Sequence, residues 1–194
     1  MRLTLVRHGR PDEGHAARPH DPPLRADGRR QAEAVATLLA DEGVTAIVAS
    51  PLLRAHETAL PLARRLSLTI RTVDGWAEAD RHVQHYRSTE TLRALGDAEW
   101  LRFLDDPVRY LGGDPECFRQ TVLDTLRATA EGDDDAHVAI FTHGLPINVA
   151  LSFVLGLEKI VHFRPGYGSV TRVIARSGCF GVVSVNESAH FKLS

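Results

Sequence analysis

The sequence predicts an α/β protein: a three-layer α/β/α sandwich with a mainly parallel sheet, helices on both faces, and a helical insertion over the C-terminal edge. Short apolar runs alternate with segments of helical periodicity, which is typical of a parallel sheet covered on both faces. The chain has 194 residues, which is enough for one substantial hydrophobic core. Because no internal repeat or linker-like segment interrupts it, we expect a single domain over residues 1–194.

The first part of the chain shows strand and helix patterns in turn. The apolar run Leu3-Thr4-Leu5-Val6 has the length of a buried strand. Apolar residues then recur at helical spacing, and Gly43 is a residue type that often ends a helix. Ser50 and Pro51 are favoured at the N-cap and the first position of a helix. The predicted order is a strand at 3–6, a loop at 10–23, a helix at 24–42, a strand at 44–49, a helix to about 66 and a strand at 68–73.

The second part of the chain begins with the region that is hardest to interpret, residues 74–113. It contains helical patches with aromatic and aliphatic residues, and we take it as an insertion over one end of the sheet. Insertions of this kind often determine the choice of substrate. The remaining predicted elements are a helix at 115–130, an acidic turn at 133–135, a strand at 138–142, a helix at 145–155 and a hairpin of strands at 169–175 and 180–185.

Composition and charge argue against several classes of protein. The net charge of −2 and the isoelectric point near 6.5 do not suit a nucleic-acid-binding protein, which carries a basic surface. No apolar run is long enough to span a membrane, and the N-terminus has no signal-peptide pattern. Cys117 and Cys179 make neither a disulfide framework nor a zinc site, and His82 and His85 lack further metal ligands. We therefore expect a cytoplasmic protein with no nucleic-acid or membrane partner.

The most informative motif is Arg7-His8-Gly9, which follows the first predicted strand. In open α/β sheets, ligands bind at the C-terminal ends of strands. Arg7 offers two parallel hydrogen bonds to a phosphate or carboxylate, and His8 offers a neutral imidazole as nucleophile or base. Gly9 lets the backbone approach a bound group. A second pair, His143-Gly144, follows a later predicted strand, so both motifs are expected at the same edge of the sheet.

These motifs and two helical patterns give the chain a resemblance to the histidine phosphatase superfamily, also called phosphoglycerate mutase-like. The resemblance covers most of the chain and implies phosphoryl-transfer chemistry on a small phosphorylated partner. It depends on four segments in the family's order, which are Arg7-His8-Gly9, Asp21 to Leu24 with Gly28 to Ala32, Ser50 through Arg54 to Ala59, and Thr142-His143-Gly144.

Phosphoryl transfer needs cations and hydrogen-bond donors around three phosphoryl oxygens. By resemblance, Arg7 and Arg54 supply two bidentate contacts, and Arg54 lies at the positive end of its helix. His8 would attack phosphorus and form a phosphohistidine, with its pKa lowered by the neighbouring arginines. His143, followed by Gly144, would donate a hydrogen bond to a phosphoryl oxygen. These groups carry the positive charge, so we expect neither a metal nor a cofactor.

The leaving alkoxide needs a proton from a carboxylic acid. By resemblance this acid follows the third strand, and Trp76-Ala77-Glu78 fits the pattern. Glu78 would protonate the leaving group and then deprotonate the water that hydrolyses the phosphohistidine, with Asp80 and Asp74 as competitors for the role. The sequence departs from the family's pattern at Arg10-Pro11-Asp12. Arg10 either adds positive charge at the rim of the pocket or points to solvent.

Three functions remain open from the sequence. The preferred one is a metal-independent phosphatase that hydrolyses small phosphomonoesters through a phosphohistidine on His8. The second is a phosphoglycerate mutase-type phosphoryl transfer that uses the same intermediate. The third is a non-catalytic module that binds phosphate or another protein. The presence of both His8 and a candidate acid favours an enzyme.

Overall fold

A computed structural model describes residues 1–192, which contain a six-stranded mixed sheet. The order of the strands is β3-β2-β4-β1-β5-β6. The first four strands are parallel to one another, whereas β5 runs antiparallel to both β1 and β6. The strands are β1 (Arg2–Arg7), β2 (Ala46–Ala49), β3 (Ile70–Thr72), β4 (His137–Thr142), β5 (Val170–Arg176) and β6 (Cys179–Glu187).

Helices cover both faces of this sheet. The bounds of the α-helices within residues 1–192 are α1 (Ala26–Leu39), α2 (Leu53–Leu66), α3 (Thr89–Ala94), α4 (Asp97–Asp105), α5 (Pro107–Tyr110), α6 (Pro115–Ala130) and α7 (Gly144–Leu155). One apolar core joins the sheet to α1 and α2, and a second joins it to α6 and α7. The predicted α/β/α sandwich with a mainly parallel sheet is therefore confirmed.

The alternation of side chains along β4 explains why the sheet has two apolar faces. Val138 and Ile140 belong to the core on the α6–α7 side, whereas Ala139 and Phe141 belong to the core on the α1–α2 side. Successive residues of a strand point to opposite faces, so a continuous apolar run buries both. All six residues of β4 are buried, as expected for a central parallel strand.

The start of α2 differs from the prediction. Ser50 and Pro51 were expected as N-cap and first residue, but the helix begins at Leu53 and the N-cap position is held by Leu52. The reason is that another part of the chain supplies the cap: both carboxylate oxygens of Asp21 accept a hydrogen bond from the Leu53 N–H at 3.0 Å. Ser50 Oγ instead accepts a hydrogen bond from the Leu52 N–H at 3.2 Å, and it also makes a contact in the site described below.

The end of α1 also differs from the prediction. Gly43 was expected as the helix cap, but α1 ends at Leu39, and Ala40 continues in right-handed helical conformation. Gly43 has φ +72° and lies between the helix and β2. It therefore serves the turn into the next strand, where a positive φ favours glycine.

Gly9 has a role in packing, and its expected approach to a ligand stays a prediction. A Cβ atom at Gly9 would lie 2.5 Å from the carbonyl oxygen of Gly28, and one at Gly28 would lie 2.1 Å from the carbonyl oxygen of Arg10. Neither distance is compatible with a side chain. The two glycines therefore allow the first turn of α1 to pack directly against the loop that follows β1.

Residues 74–113 contain α3, α4, α5 and two short 3₁₀ segments at 74–76 and 79–82. Their helical character was predicted. The interpretation of this region as a substrate-side insertion, and of residues 1–194 as one domain, stays a prediction. Among residues 1–192, we find no helix with the length and apolar character needed to cross a membrane.

Candidate active site

The two histidine motifs meet at one edge of the sheet. Parallel pairing of β1 with β4 places Arg7 beside Thr142. The His8 backbone N–H donates to the Thr142 carbonyl at 2.9 Å. As a result, the ring of His8 lies 5.0 Å from the ring of His143, centroid to centroid. The expectation that both motifs share one strand edge is confirmed.

His8 is buried and has a defined tautomer. Its Nδ1 lies 2.8 Å from the Gly9 carbonyl oxygen, which only accepts hydrogen bonds, so Nδ1 carries the proton. Nε2 is then the nitrogen with the free lone pair. Burial, followed by the positive charges of Arg54 and Arg7, holds the pKa of His8 well below its usual value. The ring is therefore neutral at pH 7, as nucleophilic attack requires.

His143 is fully buried beside His8. Its Nε2 lies 2.7 Å from the Ser50 Oγ, and its Nδ1 is buried with no hydrogen-bond partner among the described residues. Burial, then the charges of Arg54, His8 and Arg7, keeps the pKa of His143 well below its usual value. Ser50 thus fixes the ring orientation, and Nδ1 is left for a group that enters the site.

Arg54 is 0% exposed. Its Nη2 donates to Asp80 Oδ1 at 2.7 Å, and its Nη1 lies 3.6 Å from Asp21 Oδ1. Its guanidinium carbon stands 4.6 Å from the centre of the Tyr86 ring. These neighbours hold the guanidinium in place on the first turn of α2. A buried cation without such partners would be strongly disfavoured.

Arg7 is held by groups on the loop that precedes β5. Its Nη1 donates to the Pro165 carbonyl at 2.6 Å. Its guanidinium carbon lies 4.1 Å from the centre of the Tyr167 ring, a distance suited to a cation–π contact. Tyr167 in turn donates to Glu90 Oε2 at 3.1 Å. Arg7 is therefore oriented by one carbonyl and one aromatic ring.

Several donors of these residues have no partner within the chain. The described residues include seven buried side-chain polar atoms without a hydrogen bond, and four of them are Arg7 Nε, Arg54 Nε, Arg54 Nη1 and His143 Nδ1. Buried polar groups are almost always satisfied, so a cluster of exceptions needs an explanation. A multivalent anion bound beside these residues would offer hydrogen-bond acceptors to such donors. The arrangement is that of an anion site.

Glu78 is the carboxyl group of this site with the most perturbed acidity. Its Oε1 and Oε2 accept hydrogen bonds from the backbone N–H groups of Ala79 and Leu145 at 3.0 and 3.1 Å. Burial, followed by the negative charge of Asp80, raises the pKa of Glu78 to about 7. A group with this pKa gives and takes a proton near neutral pH.

The two competing carboxylates have other partners. Asp80 forms the 2.7 Å ion pair with Arg54 described above. The Asp74 side chain is 77% exposed, and its Oδ2 lies 3.7 Å from Arg81 Nη2. Neither arrangement resembles that of Glu78, whose carboxyl borders the cavity without an ion-pair partner among residues 1–192.

Arg10 and Gly144 complete the set of residues expected from the sequence. The structure does not bring Arg10 into the cavity: its Nη1 lies 3.5 Å from Asp27 Oδ2, and its side chain is 47% exposed. Gly144 lines the cavity at the start of α7. A Cβ atom there would lie 3.9 Å from Glu78 Oε2 and 4.0 Å from Arg7 Nε, so this position borders both the acid and the cation.

Sequence reasoning missed four residues that position the side chains of Arg7, Arg54 and His143. Asp21 and Ser50 were noted only for a motif or a helix cap. Tyr86 and Tyr167, which stack on the two arginines, lie in segments without a recognisable pattern. One signal in the sequence pointed to the proximity of Asp21 and Arg54: both residues belong to segments that carry the family resemblance.

Side chains that bind metals do not cluster in the described part of the chain. Within residues 1–192, no group of three or more His, Cys, Asp or Glu side chains is arranged to hold a metal ion. His82 and His85 are both exposed. Cys117 and Cys179 are free and exposed.

The buried histidines predict how stability depends on pH. The pKa values of His8, His143, His137 and His190 are all lowered, chiefly by burial. Below about pH 6.5 the unfolded chain binds protons at these rings that the folded chain excludes, so the free energy of unfolding falls with decreasing pH. Glu78, with its pKa raised to about 7, acts in the opposite direction, but it is one group against four.

We therefore expect the midpoint of urea unfolding to be lower at about pH 5.5 than at about pH 7.5. The measurement is the change of tryptophan fluorescence with urea at each pH. An unchanged or higher midpoint at the acidic pH would contradict the neutral state of the buried rings.

Fold and site together define a class of protein: an α/β sandwich with a buried, cation-rich anion site at its strand ends, flanked by two neutral histidines. Comparison with known proteins agrees with this class. The chain belongs to the histidine phosphatase superfamily (branch 1), whose family model matches residues 3–188. The resemblance expected from the sequence is thereby confirmed.

Two curated relatives illustrate the range of this family. The chain is 30% identical over 174 residues to a probable phosphoglycerate mutase of Proteus mirabilis. This match covers 84% of the chain and 79% of the relative. It is 30% identical over 187 residues to a bifunctional protein of Mycobacterium tuberculosis, covering 84% of this chain and 46% of the relative. The chain thus spans about half the length of the latter.

Solved structures share the fold across nearly the whole chain. A phosphoserine phosphatase of Entamoeba histolytica in complex with 3-phosphoglyceric acid superposes with a TM-score of 0.75 at 23% identity, covering 97% of this chain and 98% of the other. A mycobacterial glucosyl-3-phosphoglycerate phosphatase also gives a TM-score of 0.75 at 23% identity, covering 96% and 99%. At these identities, the likeness concerns the fold.

Proposed function

We propose that this protein is a metal-independent phosphatase that hydrolyses small phosphomonoesters through a phosphohistidine on His8. The observation that carries the proposal is the cluster of unpartnered donors on Arg7, Arg54 and His143 around the His8 ring. A phosphoryl group has three non-bridging oxygens, and stabilising the charge on them is the main task in phosphoryl transfer.

The proposed reaction has two steps, and one carboxyl serves both. In the first, Nε2 of His8 forms a bond to phosphorus while the ester P–O bond breaks, and Glu78 gives its proton to the leaving oxygen. In the second, Glu78 takes a proton from water, whose oxygen attacks phosphorus as the P–N bond breaks. Inorganic phosphate leaves, and His8 returns to its neutral form. The proximity of the raised-pKa carboxyl to the anion site supports this assignment.

The principal alternative is a mutase that returns the phosphoryl group to a second hydroxyl of the bound product. The similarity to a probable phosphoglycerate mutase favours this alternative. Hydrolysis is supported by similarity to proteins named as phosphatases. One of them is a phosphoserine phosphatase of Hydrogenobacter thermophilus, which is 25% identical over 167 residues. The two activities differ only in whether water or a product hydroxyl attacks the phosphohistidine.

The test is incubation of the full chain, in the presence of a chelator, with a panel of phosphomonoesters that includes 3-phosphoglycerate. Both released phosphate and isomerised phosphoglycerate are measured. Under the proposal, phosphate is released from at least part of the panel and the chelator has no effect. Isomerisation faster than release would identify a mutase, and binding of phosphate without turnover of any ester would identify a non-catalytic module.

The proposed setting of this reaction is the cytoplasm, with a small phosphorylated molecule as the partner. The exposed, free state of Cys117 and Cys179 suits a reducing compartment.

A further inference from the structure

The anion site forms the floor of a cavity of about 290 Å³ that extends well beyond the catalytic cluster. This volume is close to the lower end of the range for small-molecule pockets, about 300–1,000 Å³. Glu78 and Asp80 line the floor together with Arg7, His8 and Arg54. The rest of the cavity is therefore the place for the leaving group of the ester, and its lining describes that group.

The wall above the floor is apolar and aromatic. It includes side chains of α3 and α4, among them Leu92, Trp100 and Phe103, together with Phe163. The Trp100 and Phe103 rings are stacked, with centroids 5.6 Å apart and an interplanar angle of 23°. Such a surface favours a flat, apolar group over a hydrated sugar or a short polyol, because burying unpaired hydroxyls against it is unfavourable.

The rim of the same cavity is basic. Arg93 and Arg164 approach the Trp100 ring, with their guanidinium carbons 5.9 and 5.4 Å from its centre. Arg87 also lines the cavity. These three side chains are exposed, and none of them forms a salt bridge with a carboxylate of residues 1–192.

Other arginines of this region are paired, which makes the rim distinctive. Arg102 Nη1 lies 2.7 Å from Glu99 Oε1. Arg109 Nε lies 3.1 Å from Asp106 Oδ2. The carboxylate on the same side of the cavity, Glu90, accepts a hydrogen bond from Tyr167 instead. The rim therefore presents unpaired guanidinium groups beside an aromatic surface, an arrangement that suits an anionic substituent.

We propose that the preferred substrates are phosphomonoesters whose leaving group combines an aromatic or other flat apolar ring with a carboxylate. The ring lies against Trp100 and Phe103, and the carboxylate binds Arg93 and Arg164. This inference rests on the proposed phosphatase function, because it assigns the leaving-group side of the same cavity.

The test compares two esters that differ by one charge, 3-carboxyphenyl phosphate and 3-carbamoylphenyl phosphate. The ratio of their kcat/KM values is measured for the parent protein and for the double variant Arg93→Gln/Arg164→Gln. The control, Arg102→Gln/Arg109→Gln, removes the same number of charges outside the cavity. Comparing ratios between variants cancels the small difference in leaving-group acidity. We expect the ratio to fall about 10-fold in the double variant and to stay unchanged in the control.

The aromatic wall is tested with Trp100→Ala. This change should lower kcat/KM about 10-fold for both aryl esters, mainly through KM, and leave glycerol 2-phosphate nearly unaffected. Equal ratios in the parent and the double variant, with phosphate still released from both esters, would overturn this inference and leave the phosphatase function intact. No phosphate release from any ester would overturn the proposed function itself, and this inference with it.

Discussion

Replacement of His8 by alanine should abolish phosphate release, with a loss of at least about 10³-fold in kcat/KM for every ester that the parent protein hydrolyses. The reason is that Nδ1 of His8 donates to the Gly9 carbonyl, which leaves Nε2 with a free lone pair for attack on phosphorus. The measurement is phosphate release under single-turnover conditions, with acid-quenched samples assayed for phosphohistidine. The parent protein should accumulate the acid-labile phosphoenzyme, and the variant should not.

A matched control separates loss of the nucleophile from loss of the fold. His137 is also a buried histidine, but it lies at the opposite end of β4, where Nε2 contacts Thr4 Oγ1 at 2.8 Å and Nδ1 contacts the Glu42 carbonyl at 3.1 Å. His137→Gln should lower the free energy of unfolding by about 1–3 kcal/mol and leave the activity of the folded fraction near that of the parent. A His8→Ala protein that is folded and as active as the parent would refute the phosphohistidine mechanism.

Replacement of Glu78 by glutamine should separate substrates by the acidity of their leaving group. For glycerol 2-phosphate, whose alkoxide needs a proton, kcat/KM should fall roughly 10²- to 10⁴-fold. For 4-nitrophenyl phosphate, whose leaving group hardly needs one, kcat/KM should fall less than about 10-fold. Because kcat/KM reports formation of the phosphohistidine, this comparison isolates the acid role from the later base role.

The same variant should show the base role in a different measurement. With 4-nitrophenyl phosphate, Glu78→Gln should give a burst of nitrophenol and accumulate phosphohistidine, because no carboxylate remains to activate water. In the parent protein, kcat/KM for glycerol 2-phosphate should decline above about pH 7, where Glu78 loses its proton. That decline should be absent in the variant.

Two carboxylate variants serve as controls for this assignment. Asp74→Asn should resemble the parent protein, because its side chain is exposed and lies outside the cavity. Asp80→Asn should impair both substrates, because Asp80 holds Arg54. It should impair the alkyl ester somewhat more, because loss of the Asp80 charge lowers the pKa of Glu78. If Asp80→Asn, rather than Glu78→Gln, affected only the alkyl ester, the acid role would belong to Asp80.

The sequence predicted the parts of this molecule that depend on periodicity or on a local motif. The buried run of β4 and the helix at Pro115–Ala130 follow from the apolar pattern of their own residues, and both are confirmed. The clustering of His8 and His143 followed from the rule that parallel strands end at one edge. The strand and the helix depend on short-range information, whereas the clustering of the two histidines depends on the parallel pairing of β1 and β4.

The features that the sequence did not predict depend on contacts between distant segments. The cap of α2 comes from Asp21, so the strong local signals of Ser50 and Pro51 were misleading. Tyr86 and Tyr167 approach the two arginines from separate loops. Arg10 is turned away from the cavity by its pairing with Asp27. No spacing rule contains such information, because the partners are brought together only by the finished fold.

The pair of cations at the anion site has a consequence for the folding equilibrium. Arg7 and Arg54 come from different secondary-structure elements, and their unpartnered donors are adjacent only when the sheet is complete. The unfolded chain therefore has no comparable affinity for phosphate. By mass action, any phosphorylated ligand at this site stabilises the native state in proportion to the logarithm of its concentration above Kd. The concentration of phosphate and substrate would then add to the free energy of unfolding, as well as determine how fast the protein turns over.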